Sequence, residues 1–427
     1  MAVATIKLHQ TGKSLSAELK PKGVGVIEFR PHDNYDGEFG FDWVRMTNYG
    51  IRWEILEKFE KIAYKGNIGK YIMRQDEEEF DPRDEKYNKL LGMYKTFLHP
   101  IINDGLCYIP YLTILPKAEA KLNLFLNVIQ PIEKYQIKYN DFFELNIKET
   151  DIPQNVGDDY KVELTIKCLK EFSENQYILF LGDDNLIGVI MVLANNQMKK
   201  IKVAYYDVSW KGNKNNDLIS ENDFMTTLKK YLAQFYIEPE IVSFGVYEDE
   251  KNENKILDFI DKKNLIKVDV DNPTENYIDM GNNRFNFINK ILNKYTPKVK
   301  KCYKIFRLPY KIGELETIGK VTKVSYADGF ASEVGGKSVF LAKDFNIEHT
   351  LAHEVLHCLG LEHTFDNSLE SNTFVFRKYH TDNIMDYIEP DVSKRIFNKG
   401  ITSSFWQWRK INNLINNKIK DITKWMI

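Results

Sequence analysis

The sequence predicts an α+β protein: β-rich, sandwich-like modules precede a C-terminal domain of mixed, twisted sheet organised around one histidine-bearing helix. Three observations carry this. Apolar residues alternate with polar ones along several segments before residue 198, which is the period of half-buried strands. After residue 199, strand-like runs are separated by segments whose apolar residues recur every three to four positions, which is the period of helices. At 427 residues the chain exceeds what one compact core holds, so two or three domains are expected. They are read as 1–108, 109–198 and 199–427.

In the first half, residues 23–30 alternate as a strand would, and 121–128 and 160–169 read as strands of a sandwich. The acidic run 76–85 reads as a solvated loop rather than a calcium site, and the sequence leaves open whether calcium supports the fold. Pro110 and Pro116 mark the boundary between the two β modules. No cluster of chemistry-bearing residues stands out before residue 198.

In the second half, 200–208 reads as the first strand of a sheet. Ser220 caps a helix through Phe224, Leu228, Tyr231, Leu232 and Phe235, Pro239 closes it, and 240–246 resumes as strand. Residues 272–283 read as an inserted surface loop, 284–295 as a helix and 301–307 as a strand. Gly329-Phe330-Ala331 and then 335–342, with Gly335, Gly336, Ser338 and Val339, read as an edge strand whose small residues admit a close-lying backbone. The alternative is an exposed loop before an ordinary strand. Phe405 opens an amphipathic helix with Ile411, Leu414, Ile415 and Ile419, whose apolar face suits core packing.

The most informative stretch is 353–363, H-E-x-x-H-x-x-G-x-x-H. Residues four apart share one helix face, so His353 and His357 can address the same ion. Glu354, one step round, stands beside the remaining position, where a carboxylate can take a proton from water. Gly360 can end the helix in a left-handed conformation and return the chain, bringing His363 in as third ligand. Three imidazoles leave one position open, the arrangement of a catalytic zinc rather than a closed structural one. A bare H-E-x-x-H arises by chance, but five of the 8 histidines fall between 349 and 380. His349 and His380 lack ligand spacing, and Cys358 points away on the helix and suits packing. About twenty residues on, 381–387 sets Met385 and Tyr387 in a polar, turn-prone setting.

This pairing of an extended zinc motif with a methionine turn resembles the metzincin metallopeptidases. His363-Thr364-Phe365 and the turn 383–387 are similar to the pappalysin and cytophagalysin branch, although no cysteine lies between His363 and Met385. The order of strand, helix, strands and zinc helix matches the upper subdomain that the resemblance implies. The resemblance further implies one catalytic zinc ion and a hydrophobic floor formed by Met385. It also gives Tyr387 a hydrogen bond to the developing oxyanion, unless that residue only packs. The expected activity is endopeptidase action on a protein or peptide, laid antiparallel along the edge strand, with Glu354 as general base. Two rivals stand beside it: a catalytically silent zinc protein with a binding or structural role, and a toxin whose activity lies in the β half.

A net charge of −2 with dispersed lysines does not suit nucleic acid as partner. No apolar run reaches the roughly 18 residues of a membrane span, and no secretory signal is recognisable at the N-terminus. Four scattered cysteines fit a reducing compartment, or export without disulfide formation. Residues 37–43 and 167–172 resemble accessory regions of type VI secretion effectors. By that resemblance, 1–198 would engage a secretion apparatus and carry a protein made in the cytoplasm out of the cell.

Overall fold

One long strand, Glu119–Gln130, organises the N-terminal half. The computed structural model describes residues 8–10, 13–15, 23–45, 64–74, 77–99, 106–153, 160–209, 217–247, 264–269, 272–273, 275–279, 284–295, 301–318, 321–367, 374–389 and 400–424. The fold is mixed α and β, mostly β, and spread over several sheets. No helix among the described residues is long and apolar enough to cross a membrane.

Glu119–Gln130 pairs antiparallel with Tyr160–Cys168 on one side and Val24–Pro31 on the other. A second sheet runs Tyr135–Lys138, Gln176–Gly182, Asn185–Val192, Tyr111–Thr113, Gly40–Asp42. Inward-facing Phe29, Leu124, Leu126, Leu164 and Ile166 of the first meet Phe41, Leu112, Ile178, Phe180 and Ile190 of the second in one buried core. Alternation on both sheets produces this sandwich. The expected division at residue 108 does not describe it, because strands from both sides of that position share both sheets. Tyr111–Thr113, between Pro110 and Pro116, is an inner strand of the second sheet, not a linker.

The acidic run is also ordered. Ile68–Arg74 and Glu77–Pro82 form a hairpin, and Asp84–Leu91 is a helix that buries Tyr87 and Leu90. Residue 76 lies outside the described residues. Strand alternation was hidden because Glu78 and Glu79 both lie exposed on the hairpin.

The C-terminal half is a five-stranded sheet built from β1 (Lys199–Val208), β2 (Ile237–Tyr247), β3 (Tyr303–Arg307), β4 (Gly329–Ala331) and β5 (Ser338–Leu341). Their order is β2-β1-β3-β5-β4; the first four are parallel, and β4 runs antiparallel along the edge. Parallel strands covered on both faces need near-continuous apolar runs, and β3 and β5 are buried throughout. The helices are α1 (Glu221–Ala233), α2 (Arg284–Tyr295), α3 (Ile347–Cys358) and α4 (Phe405–Lys424). Ser220 caps α1 by accepting from the Asp223 N–H. Pro239 does not close that helix but lies within β2, on a sheet edge where its missing N–H costs no ladder bond. Residues 276–279 of the expected surface loop form a strand, Asn276–Asp279, with Tyr277 and Ile278 buried against Lys311–Ile318. Residues 280–283 lie outside the described ones.

One face of the sheet packs on α1, α3 and α4 through Val203, Tyr205, Leu228, Leu351, Val355, Met385 and Ile411. The two halves of the chain are stitched together beside this core. Gln234 donates to the carbonyls of Gly37 and Ile401 and accepts from Thr113, and Lys230 pairs with Asp36 at 2.6 Å. Val375–Phe376 adds to the hairpin strand Ile68–Arg74.

Candidate metal centre

The helix α3 is bounded by local chemistry. Asn346 accepts from the Glu348 N–H at its start. At its end the Gly360 N–H donates to the His357 carbonyl (2.9 Å) and the Leu361 N–H to that of Leu356 (3.1 Å), the paired bonds of a Schellman turn. Gly360 has φ +103°, and a Cβ there would stand 2.5 Å from Leu414 Cδ1 of α4. Backbone conformation and the close-lying helix both require glycine. The reversal brings His363 back to the helix.

His353, His357 and His363 each offer one ligand atom, all within 4.8 Å of one another. Each Nδ1 is already engaged: His353 with the Ile384 carbonyl (2.7 Å), His357 with the Leu361 carbonyl (2.7 Å), His363 with Asp366 Oδ2 (2.9 Å). Those acceptors fix the proton on Nδ1 and leave each Nε2 a bare lone pair. His357 Nε2 lies 3.2 Å from both other Nε2 atoms. Lone pairs do not hydrogen-bond to one another, and three of them converging in this way could hold a cation between them. Two nitrogens at about 2.0–2.1 Å from a tetrahedral ion stand about 3.3 Å apart, so the donor set fits zinc. Burial, reinforced by the neighbouring histidines, holds His353 well below the ordinary imidazole value, and burial together with His363 brings His357 down to about 4. Both are neutral and ready to ligate at pH 7.

Glu354 is buried, and burial pushes its carboxyl up to about 8, against an opposing hydrogen bond from the Ala331 backbone. That contact places the edge strand β4 over the carboxyl group. A Cβ on Gly329 would come 3.1 Å from Glu354 Cγ. Of the segments read together as an edge strand, only Gly329–Ala331 lies at the edge. β4 is the edge; Ser338 and Val339 are buried in β5 between β3 and β4, and Gly335 and Gly336 belong to the connecting turn. Gly335 has φ +81°, and its N–H donates to the His357 carbonyl at 2.8 Å. Cys358 is buried with its thiol on the Ser338 carbonyl, a packing role.

The turn after the site is held from within and behind. Asn383 Oδ1 accepts from the Met385 N–H (2.9 Å), and its amide exchanges hydrogen bonds with Gln407 of α4. Met385 is fully buried in the core that includes Ala352, Val355 and Leu356, and its carbonyl accepts from the Thr364 N–H beside His363. Tyr387 is 41% exposed, its ring centroid 4.8 Å from that of His363 and 6.2 Å from that of His353. Burial of its hydroxyl, with the charges of Glu354 and Asp366 nearby, raises its pKa to about 12, so it keeps its proton. Phe365 stacks on His363 at 4.7 Å. His349 and His380 stay outside the triad. His349 is half-buried with its ring 5.3 Å from His353, and His380 bonds the Lys378 carbonyl.

Two contributors escaped the sequence reading. Asp366 orients His363; burial raises its carboxyl, but the hydrogen bond from the His363 ring outweighs this and leaves it below the usual range. Its signal was a carboxylate three residues past the third ligand. The hairpin 68–82 flanks the loop between His363 and Met385, with Asn367 exchanging hydrogen bonds with the Tyr71 backbone and Arg377 N–H donating to the Asn67 carbonyl. No local pattern announces that contact.

No protein-family model matches the chain, and no curated protein does. A solved structure described as "Structure of a chaperone-substrate complex" aligns over 60% of this chain and 42% of its own, at 10% identity and a TM-score of 0.23. The chain thus spans less than half of that neighbour, and a likeness of this size carries no argument.

Proposed function

We propose that the protein is a zinc-dependent endopeptidase of the metzincin type, most similar to the pappalysin and cytophagalysin branch. The carrying observation is the convergence of three Nε2 lone pairs beside a buried Glu354 under the edge strand of the sheet. The parallel sheet with one antiparallel edge strand in front of the metal-site helix also supports the reading.

His353, His357 and His363 would hold a zinc ion, which would supply Lewis acidity toward a carbonyl oxygen and a lowered pKa, about 7, for water. The remaining steps belong to the chain's own residues. An extended peptide pairs antiparallel with β4, which sets its scissile bond over Glu354. Glu354 accepts a proton from the attacking water as the C–O bond forms, and delivers it to the amine nitrogen as the C–N bond breaks. Tyr387 donates its hydroxyl hydrogen to the oxygen that gains charge. Asp366 and the carbonyls of Ile384 and Leu361 keep the three rings oriented throughout.

The test is cleavage of a peptide library by the full chain and by Glu354→Gln. The variant keeps its metal and loses about 10²- to 10⁴-fold in kcat/KM. Equal cleavage by the two proteins rejects the mechanism, and absence of metal from both rejects the site.

A further inference from the structure

We propose that Lys378 sets the specificity of this site by receiving a carboxylate of the peptide substrate, either an acidic side chain or the C-terminal carboxylate. The inference rests on the peptidase reading and adds the chemistry of the preferred substrate.

Lys378 lies in the loop between the third imidazole and the buried methionine. Its Nζ stands 5.0 Å from the ring centroid of Phe365, 5.1 Å from that of Tyr379 and 4.8 Å from that of Tyr387. Phe365 and Tyr387 are the rings that flank His363, one stacked at 4.7 Å and one edge-on at 4.8 Å. The ammonium is thus one ring removed from the His363 imidazole.

Aromatic faces attract a cation but do not neutralise it. Four other lysines that rest on rings also hold an acid, while Lys95 over Tyr177 donates to that residue's hydroxyl instead. Lys161 over Phe125 reaches Asp33 at 3.1 Å, Lys170 over Phe142 reaches Asp141 at 2.6 Å, Lys230 over Tyr231 reaches Asp36 at 2.6 Å, and Lys311 over Tyr326 reaches Glu275 at 2.5 Å. Among the described residues, Lys378 has three rings and no carboxylate. It is half-buried, so its charge is only partly hydrated.

The loop that presents it is tied down on several sides. The Lys378 N–H donates to the Tyr71 hydroxyl (2.7 Å), and the Lys378 carbonyl meets His380 Nδ1 (2.8 Å). The next residue, Tyr379, has φ +66°, a conformation that a bulky side chain holds only where its surroundings impose it. Asp386 imposes it here: one carboxyl oxygen accepts from the N–H groups of both Tyr379 (3.1 Å) and Tyr387 (2.8 Å). The residue that follows Lys378 and the tyrosine beside His363 are therefore held by the same carboxylate. A substrate carboxylate entering beside Tyr387 completes the ammonium's coordination and draws the peptide toward Glu354.

The test uses the full chain and matched fluorogenic peptides that differ only as Glu against Gln at successive positions around the scissile bond, each made with a free and an amidated C-terminus. Wild type favours the carboxylate at one position about tenfold or more in kcat/KM, mainly through KM. The responding arm tells side chain from C-terminus. The ratio falls to near one in Lys378→Met, persists in Lys378→Arg and turns toward lysine-containing peptides in Lys378→Glu, with metal content measured on each variant. Cleavage by wild type without preference, or a preference that survives in Lys378→Met, overturns this inference and leaves the peptidase reading standing. Failure to cleave any peptide, neutral ones included, overturns the peptidase reading and this inference with it.

Discussion

Arg45 and Asp382 form a buried ion pair, Nη2 to Oδ1 at 2.7 Å, across 337 residues of sequence. Arg45 also reaches Asp42 and the Tyr64 hydroxyl, and Asp42 accepts from the Phe405 N–H at the start of α4 (2.7 Å) and from the Tyr94 hydroxyl (2.6 Å). Two residues past Asp382, the Ile384 carbonyl holds His353. One guanidinium from the N-terminal half thus braces the segment that orients a metal-site imidazole.

Removing that guanidinium leaves two carboxylates buried without their cation, a loss of about 3–5 kcal/mol. Arg45→Met is expected to lower the unfolding free energy by that amount in urea titrations and to weaken zinc binding in parallel. A loss below about 1 kcal/mol would show that the pair is not a brace.

Asp366 would act on a metal held here through His363. Asp366→Ala strips the His363 Nδ1 of its acceptor, and loss of such a partner weakens metal affinity about 10- to 100-fold. Competition with a chromogenic chelator measures this. Asp366→Asn keeps an acceptor oxygen and is expected to lose less. Unchanged affinity in both variants means that the ring is oriented by other contacts.

Metal uptake carries a proton signature. In the free site burial holds the Glu354 proton up to about pH 8, while His353 and His357 are already neutral at pH 7. A cation beside the carboxyl favours its ionised form. Wild type is therefore expected to release about one proton more than Glu354→Gln on binding zinc at pH 7. The excess vanishes as pH rises well above 8, where the free carboxyl is already ionised. Calorimetry in buffers of different ionisation enthalpy reads the difference. No difference at pH 7 removes Glu354 from the metal's neighbourhood.

What the sequence disclosed follows the range of each interaction. His353, His357 and Gly360 lie within two turns of one helix, where spacing alone sets direction, so convergence with His363 was legible and is found. The Ser220 cap and the helix 284–295 are local for the same reason. Strand neighbours are not local. Gly329–Ala331 and 335–342 were read together as one edge because small residues suit it, but they fold back on each other and only Gly329–Ala331 lies at the edge. Glu119–Gln130 gathers partners from both sides of the expected boundary at 108, and a sandwich read strand by strand cannot reveal which strands interleave. No local pattern marks Arg45 as a brace, because Asp42 lies three residues away but Asp382 comes from a distant segment.

X-ray absorption at the zinc edge of the purified full chain, with the metal-to-protein ratio measured on the same sample, tests the three-imidazole centre most directly. The expected spectrum is one zinc per chain with three nitrogen neighbours at about 2.0–2.1 Å and one solvent oxygen, collapsing in His357→Ala. A chain that binds no zinc, or a zinc closed by four protein ligands, would overturn it.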